Sequence, residues 1–434
     1  MHPSDWFFHG GASLKLFRRG FKVKMKRWNL LIVLAMLLTL LAACGEEEAI
    51  PTPIPAPVEE TVEEIVEPTV TTPEEKPTLP PPPTMAPAAT STPMVETEEE
   101  ETETVEDGSV ILMTVEDFGN DRNRLTGELA ENPEDLEQRP LAIKISNSPP
   151  GQVRPQSGLN DAAIMVEHLA EGAVTRLTGI FYGNWPEKVG PIRSARLIDL
   201  ELPAMYDAGL AFSGASVGVS QRLFSSDFRP RIIRSNSEGY YRSGEENRDI
   251  EHTLYANPEG LHDTLAEKDL NTPPNFNTVM TFSSEPPEGG EPATHLTIDY
   301  IWEVIEWKYD EENGRYYRWA DEEPIYDAND GEQASTANII VLTPYHVQDP
   351  DICEQASKEG ECLALSVQIQ LWDTGPAILM RDGQQFPVYW HRAGRNDLLT
   401  FTDEAGNPVP LQIGNTWLQI VPTWRGYENH IVIE

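Results

Sequence analysis

Cysteine is scarce in this chain. Three in 434 residues are too few for a disulfide scaffold or a multi-thiolate metal cluster. Basic residues are outnumbered, 32 against 71 acidic ones, for a formal net charge of −39. Phosphate backbones are held by clustered Lys and Arg, so this balance argues against a nucleic-acid partner. Hydrophobic residues make up 39% of the chain, below the ordinary globular share, so part of it does not build a core. No Gly-x-Gly-x-x-Gly follows a strand pattern and no Gly-Lys-Ser/Thr is present, which removes the usual phosphate loops and any nucleotide cofactor they would hold.

What is present is unevenly spread. Up to Cys44, seven Lys and Arg stand against Asp5 alone. Lys24, Lys26 and Arg27 precede an apolar stretch from Leu30 to Leu41, followed by Leu41-Ala42-Ala43-Cys44. An apolar core of about 12 residues is short for a membrane-spanning helix, which needs ~20. The pattern reads as a signal peptide over residues 1–44, resembling a bacterial lipobox in which Cys44 carries diacylglycerol; an ordinary signal anchor is the alternative. Met25 could also open the signal, making residues 1–24 an upstream mis-start. Acyl chains contribute ~0.8 kcal/mol per buried methylene, enough to hold the protein on the extracytoplasmic face of the cell membrane. From Gly45 to Asp107 there are 18 acidic residues and one Lys, with thirteen prolines between Pro51 and Pro93. Residues 45–138 therefore read as a disordered acidic tether, extended by proline and by like charge. Cys353 and Cys362 remain as an even pair in a polar stretch, where a disulfide is expected outside the cytoplasm.

The folded part is expected as two units, a mixed α/β (α+β) domain over 139–285 and a mainly antiparallel β domain over 294–434. The Pro/Gly/Glu-rich stretch 286–293 is the linker. In the first unit, Leu141 to Ser146 reads as a strand. Ile164 to Ala170 and Ala173 to Tyr182 read as a hairpin turning at Glu171-Gly172, which sets Glu167 opposite Arg176 and Met165 opposite Thr178. A helix through Asp161 to Glu171 is the alternative. A helical stretch is expected after Arg196 with Ser194 as its N-cap, and another from Ser216 toward Phe224 behind a buried strand at Ala208 to Phe212. The second unit holds seven of the ten tryptophans. Its turn signals at Asn313-Gly314, Asp382-Gly383 and Ala405-Gly406-Asn407 separate runs such as Val304 to Tyr309, Arg315 to Trp319, Asn338 to Leu342, Leu363 to Leu371 and Leu411 to Ile413.

Several segments come in a familiar order: Arg139-Pro140-Leu141-Ala142-Ile143-Lys144-Ile145-Ser146-Asn147, Arg154-Pro155-Gln156-Ser157-Gly158-Leu159, Glu171-Gly172-Ala173-Val174-Thr175-Arg176, Val189-Gly190-Pro191-Ile192-Arg193-Ser194-Ala195-Arg196 and Tyr206-Asp207-Ala208. Trp307-Lys308-Tyr309-Asp310, Arg318, the strand at Asn338, Asp382-Gly383 and Gly414-Asn415-Thr416-Trp417 follow. The set resembles the YerB-like bacterial lipoproteins over roughly residues 139–424. The resemblance implies a lipid-anchored envelope protein with two domains of unassigned function. Two positions depart from the family pattern: Thr253 follows His252 where Asn is expected, and Phe212 precedes Ser213-Gly214 where a His is expected.

Arg154, Arg176, Arg193 and Arg196 all lie in or beside short Gly/Pro-marked turns, with Ser194, Ser216 and His252 as companions. Arg forks bind carboxylate or phosphate bidentately, so these residues are the candidate anion site, for a cell-wall, lipid or peptide acid group. The competing reading is ion pairing, Glu167 with Arg176 and Asp199 or Glu201 with Arg196. Metal ligation is poorly supported, because His168, His252, His262, His295, His346 and His391 show no paired helical spacing. An extracytoplasmic hydrolase acting on wall or lipid material is the second functional reading. It would use Ser194 or Ser213 with His252 and Asp207, while Gly214 and Gly218, four apart, are a weak motif. The expectation is a binding or scaffolding module, with no cofactor assigned, no catalytic residue assigned and no oligomeric state read.

Overall fold

The computed structural model describes residues 109–424 and 430–434. The expected signal peptide, Cys44 and the tether as far as residue 108 lie outside the described residues. Residues 109–138, assigned above to the tether, belong instead to the folded body. Phe118, Leu125 and Leu136 are buried, and Phe118 meets Phe282 edge-on at 6.1 Å. These apolar residues are isolated among polar and charged ones and fill gaps in a core built elsewhere, so they carry no periodic signal.

The strands that organise the body are β1 (Leu141–Ser146), β2 (Ile164–Leu169), β3 (Thr175–Phe181), β4 (Gly209–Ala211), β5 (Ile232–Ile233), β6 (His295–Asp299), β7 (Val304–Asp310), β8 (Arg315–Ala320), β9 (Asn338–Leu342), β10 (His346–Ala356), β11 (Cys362–Ile369), β12 (Asp373–Arg381), β13 (Gln384–Arg392) and β14 (Thr416–Ile420). The longest helices are α1 (Val217–Leu223) and α2 (Pro258–Ala266). Strand dominates throughout. The mixed α/β description of the first half holds in part, through the parallel pairs β1–β4 and β4–β5 and these short helices.

One eleven-stranded sheet runs through both halves, in the order β13-β12-β9-β14-β2-β3-β1-β4-β5 with short strands at one end. Strand β14, from near the end of the chain, pairs parallel with β9 on one side and with β2 on the other. The stretch expected as a linker also joins this sheet, since Glu291–Pro292 pair with Gln385 and Gln384 of β13. Strands β1, β2, β3, β9 and β14 are buried at every position. A strand covered on both faces reads as a continuous apolar run rather than an alternation.

A six-stranded sheet built on β6, β7 and β8 covers one face. Its strands alternate half-buried and buried, as expected for a sheet with one face wet. Leu296, Ile298, Trp307 and Tyr316 from it share a core with Ile143, Met165 and Trp417. The opposite face carries the turns and helix between Leu197 and Leu223, together with Ile352, Val367 and Ile369 of the β10–β11 hairpin. That hairpin is a separate two-stranded sheet. Cys353 and Cys362, with Cα atoms 5.7 Å apart, are joined across it.

The β2–β3 hairpin turns through three residues, Glu171–Ala173, with Gly172 at φ 73° and Ala173 at φ 62°. The expected two-residue turn is therefore corrected, and the register moves by one. Val166 faces Thr178, His168 faces Arg176, and Glu167 faces Leu177. A one-residue shift sends each side chain to the other face, so Glu167 and Arg176 are not partners. Ser194 is no N-cap either: Arg196 precedes a 3-10 turn at Leu197–Leu200, and a four-residue helix follows at Leu202–Met205. Asp199 closes that turn by accepting the Arg196 backbone N–H at 2.7 Å.

Candidate functional site

Strand β2 sends alternate side chains to its two faces, and each face receives a buried charged group. On one face Glu167, fully buried, lies 2.9 Å from Arg318 Nη1. It also accepts from Arg318 Nη2 at 3.1 Å, Thr175 at 2.8 Å, Asn147 at 3.3 Å and Gln419 at 3.1 Å. The Arg318 guanidinium is stacked between Trp417 at 4.8 Å and Trp307 at 5.4 Å. Beside it Glu303 holds Arg154 and, at 3.0 Å, Asn147. Burial, then the like charge of Arg318, pushes Arg154 down to about 10. Arg154 thus belongs to this internal pairing and not to a site with Arg176.

On the other face Lys144 Nζ donates to His168 Nε2 at 2.7 Å and Thr178 at 2.9 Å, and lies 2.9 Å from Asp199. His168 Nδ1 donates to the Leu169 carbonyl at 2.9 Å, which leaves Nε2 as the acceptor. Burial pushes Lys144 down to about 8 against the opposing pull of Asp199. Burial first, then Lys144, holds His168 well below its ordinary value. Every polar group of this quartet has a partner, which makes it a positioning network rather than a reactive centre.

Arg176, opposite His168 on β3, is different. It is buried at 6% exposure, and its Nε and Nη1 have no hydrogen-bond acceptor. Burial, then the charge of Arg196, pushes it down to about 10, while Glu171 and Glu251 pull the other way. Arg193 and Arg196 surround it, but each has its own carboxylate. Arg193 Nη2 donates to Glu251 at 3.1 Å, and Arg196 is gripped bidentately by Glu171. The expected partners of Arg196 are otherwise engaged: Asp199 binds Lys144, and Glu201 binds Arg392 at 2.8 Å. His252 is buried, with Nε2 3.6 Å from Glu251 and Nδ1 unpartnered. Burial, then Arg193, lowers its pKa. Ser194 contributes only its carbonyl, 3.4 Å from Arg196 Nη1. Ser216 caps α1, accepting from Val219 N–H at 3.4 Å, and donates to Glu354 at 3.2 Å. Sequence reasoning missed Glu171, Glu251 and Glu354 as counter-ions; Glu354 lies 138 positions beyond Ser216, and nothing local links them.

Gly214 to Gly218 spell Gly-x-Ser-x-Gly around Ser216 between a strand and a helix, so the motif has to be tested on geometry. A nucleophile elbow needs a strained turn and a nearby base. Ser216 has extended backbone, φ −59° and ψ 162°, and its hydroxyl binds a carboxylate. Asp207 is taken by Arg139 at 2.8 Å and by Arg231. No serine hydrogen-bonds His252 among the described residues. The geometry builds a basic cluster, not a relay.

Comparison with known proteins agrees with this architecture. Residues 125–271 match the model described as "Protein of unknown function (DUF3048) N-terminal domain", and residues 296–418 match its C-terminal domain. The chain is 27% identical over 292 residues to "Putative lipoprotein YerB" of Bacillus subtilis, covering 66% of this chain and 82% of that one. The crystal structure of the YerB protein from Bacillus subtilis superposes with a TM-score of 0.59 at 25% identity, covering 72% of this chain and 99% of the other. With both domains present in order, and the fold shared over nearly all of that structure, the chain belongs to the YerB-like family.

Proposed function

We propose that this protein is a binding module held on the outer face of the cell membrane through an acylated Cys44, and that its first half takes a small anionic group, carboxylate or phosphate, at Arg176. The relative's name as a lipoprotein supports the anchoring, and among the described residues no helix is long and apolar enough to cross a membrane. One observation carries the ligand reading: Arg176 is buried and cationic, with two donors facing no acceptor. An arginine kept only for structure is normally paired, because an unpaired buried charge is costly. Arg193 and Arg196 add positive potential around it, and His252, whose pKa burial and Arg193 lower, adds a ring nitrogen without a partner.

The Arg176→Met variant tests this. In anion-free buffer it should be at least as stable as the parent, since an unpaired buried charge is gone. Inorganic phosphate should stabilise the parent, by about 2.7 kcal/mol at one hundred times its Kd, and leave the variant unmoved. Urea titrations with and without phosphate, at matched ionic strength, read both effects. Equal stabilisation of the two proteins would sink the proposal.

A further inference from the structure

Besides filling gaps in the core, the segment 109–138 closes a polar cavity. Asn123 pins the segment: its amide donates to the Tyr182 carbonyl at 2.6 Å and accepts the Leu125 N–H at 2.8 Å. Thr126 and Glu128 follow on a turn whose Gly127, at φ 72°, leaves no room for a side chain against Phe282. Behind them is a cavity of about 180 Å³, lined also by Asp161 before β2, Asn184 after β3 and Arg315 of β8. Thr126, Glu128 and Asn184 line a second cavity as well, of about 480 Å³, with Leu129 and Trp185 in its wall. Together the two reach the size of pockets that hold small molecules, ~300–1,000 Å³.

Two opposite charges line the smaller cavity without pairing with each other. Arg315 donates from Nε to the Ser335 hydroxyl at 2.9 Å, and from Nη2 to the Ser335 carbonyl at 3.1 Å and Asn415 at 2.7 Å. Its Nη1 has no acceptor and it forms no ion pair among the described residues. Burial lowers its pKa, opposed by the more distant charge of Glu128. Asp161 accepts from Asn184 at 3.3 Å and Asn329 at 3.0 Å, and has no cation beside it among the described residues. Its neighbours are likewise held by N–H groups alone. Asp327 accepts from the backbone of Gly158, Asn160 and Asn329, and Asp330 from the Asn160 amide and the Glu332 backbone. Burial, opposed by the Asn329 amide, raises the Asp161 carboxyl, and Asp327 and Asp330 raise it further. These acids are not gathered as metal ligands: among the described residues no three such groups are placed to hold a metal ion.

We infer that this cavity binds a zwitterion of the α-amino acid class, its carboxylate on Arg315 and its ammonium on Asp161. A simple anion would add to the local surplus of negative charge, and a simple cation would leave Arg315 uncompensated; a ligand carrying both answers both. The unused bonding capacity sorts the same way. Arg315 Nη1 and the Thr126 hydroxyl, which accepts the Glu128 N–H at 3.3 Å but donates to nothing among the described residues, are donors for a carboxylate. The Asn184 carbonyl and the Glu128 carboxylate accept nothing among the described residues, and an ammonium with three protons needs such acceptors. The wider cavity, where Leu129 is 59% exposed beside Trp185, takes the side chain. The site shares no residue with the Arg176 cluster, so it stands whether or not that cluster takes an anion.

Calorimetry of the folded protein with the common amino acids, in L and D forms, tests the idea. At least one should bind, and the tightest is then compared with the same molecule lacking its amine or lacking its carboxylate. Each single-charge analogue should bind about tenfold or more weakly, the loss expected for one charge-assisted contact. Arg315→Met should weaken the amino acid by a similar factor without weakening the analogue that has no carboxylate. Asp161→Asn, nearly the same in shape, should weaken the amino acid without weakening the analogue that has no amine. A general loosening of the fold does not give that crossed pattern. If Arg315→Met fails to fold, Thr126→Val supplies the comparison at the carboxylate. Absence of binding by every amino acid overturns the inference. So does a single-charge analogue that binds as tightly as its parent, or undiminished amino-acid binding by Arg315→Met.

Discussion

Replacing Arg318 by alanine is expected to remove about 3–5 kcal/mol from the unfolding free energy, a large part of the ~5–15 kcal/mol typical of a domain. The reason lies in what stays behind. Glu167 would remain fully buried with its carboxylate facing only Thr175, Asn147 and Gln419, and the slot between Trp307 and Trp417 would be vacated. Breaking one side of a buried pair leaves an uncompensated charge, whereas replacing both sides by apolar groups can come close to neutral. The double variant Arg318→Met with Glu167→Leu should therefore recover most of the loss. Recovery stays incomplete, because Gln419 and Asn147 lose an acceptor. Urea denaturation of the two single variants and the double gives the coupling energy directly. A single Arg318→Ala loss below about 1 kcal/mol would show that the pair does not hold the two halves together.

Acid should weaken the fold well before the carboxylates titrate. Burial pushes His346 down to about 4, opposed by the Pro344 carbonyl, and His168 is held well below its ordinary value. Above pH ~6.5 both are neutral whether the chain is folded or not, so they cost nothing. As pH falls below that value the unfolded chain takes up protons that the folded chain refuses. Stability is therefore lost progressively toward pH 4, by up to about 1.4 kcal/mol per pH unit for each histidine. The denaturation midpoint should fall steadily between pH 7 and 5, and His346→Gln and His168→Gln should each flatten the slope. A parent midpoint that does not change over this range would refute the assignment.

Much of the local structure could be read in the sequence, for local reasons. The strand at Asn338–Leu342 is found end to end as expected, because the four consecutive apolar residues after Asn338 suit a strand covered on both faces. Asp382-Gly383 makes a two-residue hairpin with φ 51° and 69°, the mirror-image turn its side chains favour. Long-range pairing could not be read. The contact of Glu167 with Gln419 spans 252 positions, and nothing in either segment names the other. The register error at β2–β3 traces to Ala173, which adopts the left-handed region without the glycine that would announce it. The candidate site was half legible. Its arginines stand in recognisable turns, but the carboxylates that neutralise Arg193 and Arg196 come from other elements. Which guanidinium stays unpaired is a property of the assembled fold.

The place of β14 sets the order in which this molecule can be made. Its neighbour β2 lies more than two hundred positions earlier, so during synthesis the first half emerges and waits with that flank bare. A bare flank of buried, apolar strand is a template for any passing extended segment, and contacts of such separation close slowly. A ribosome stalled before Thr416, or a protease removing the last twenty residues, would yield an adhesive fragment rather than a smaller working protein.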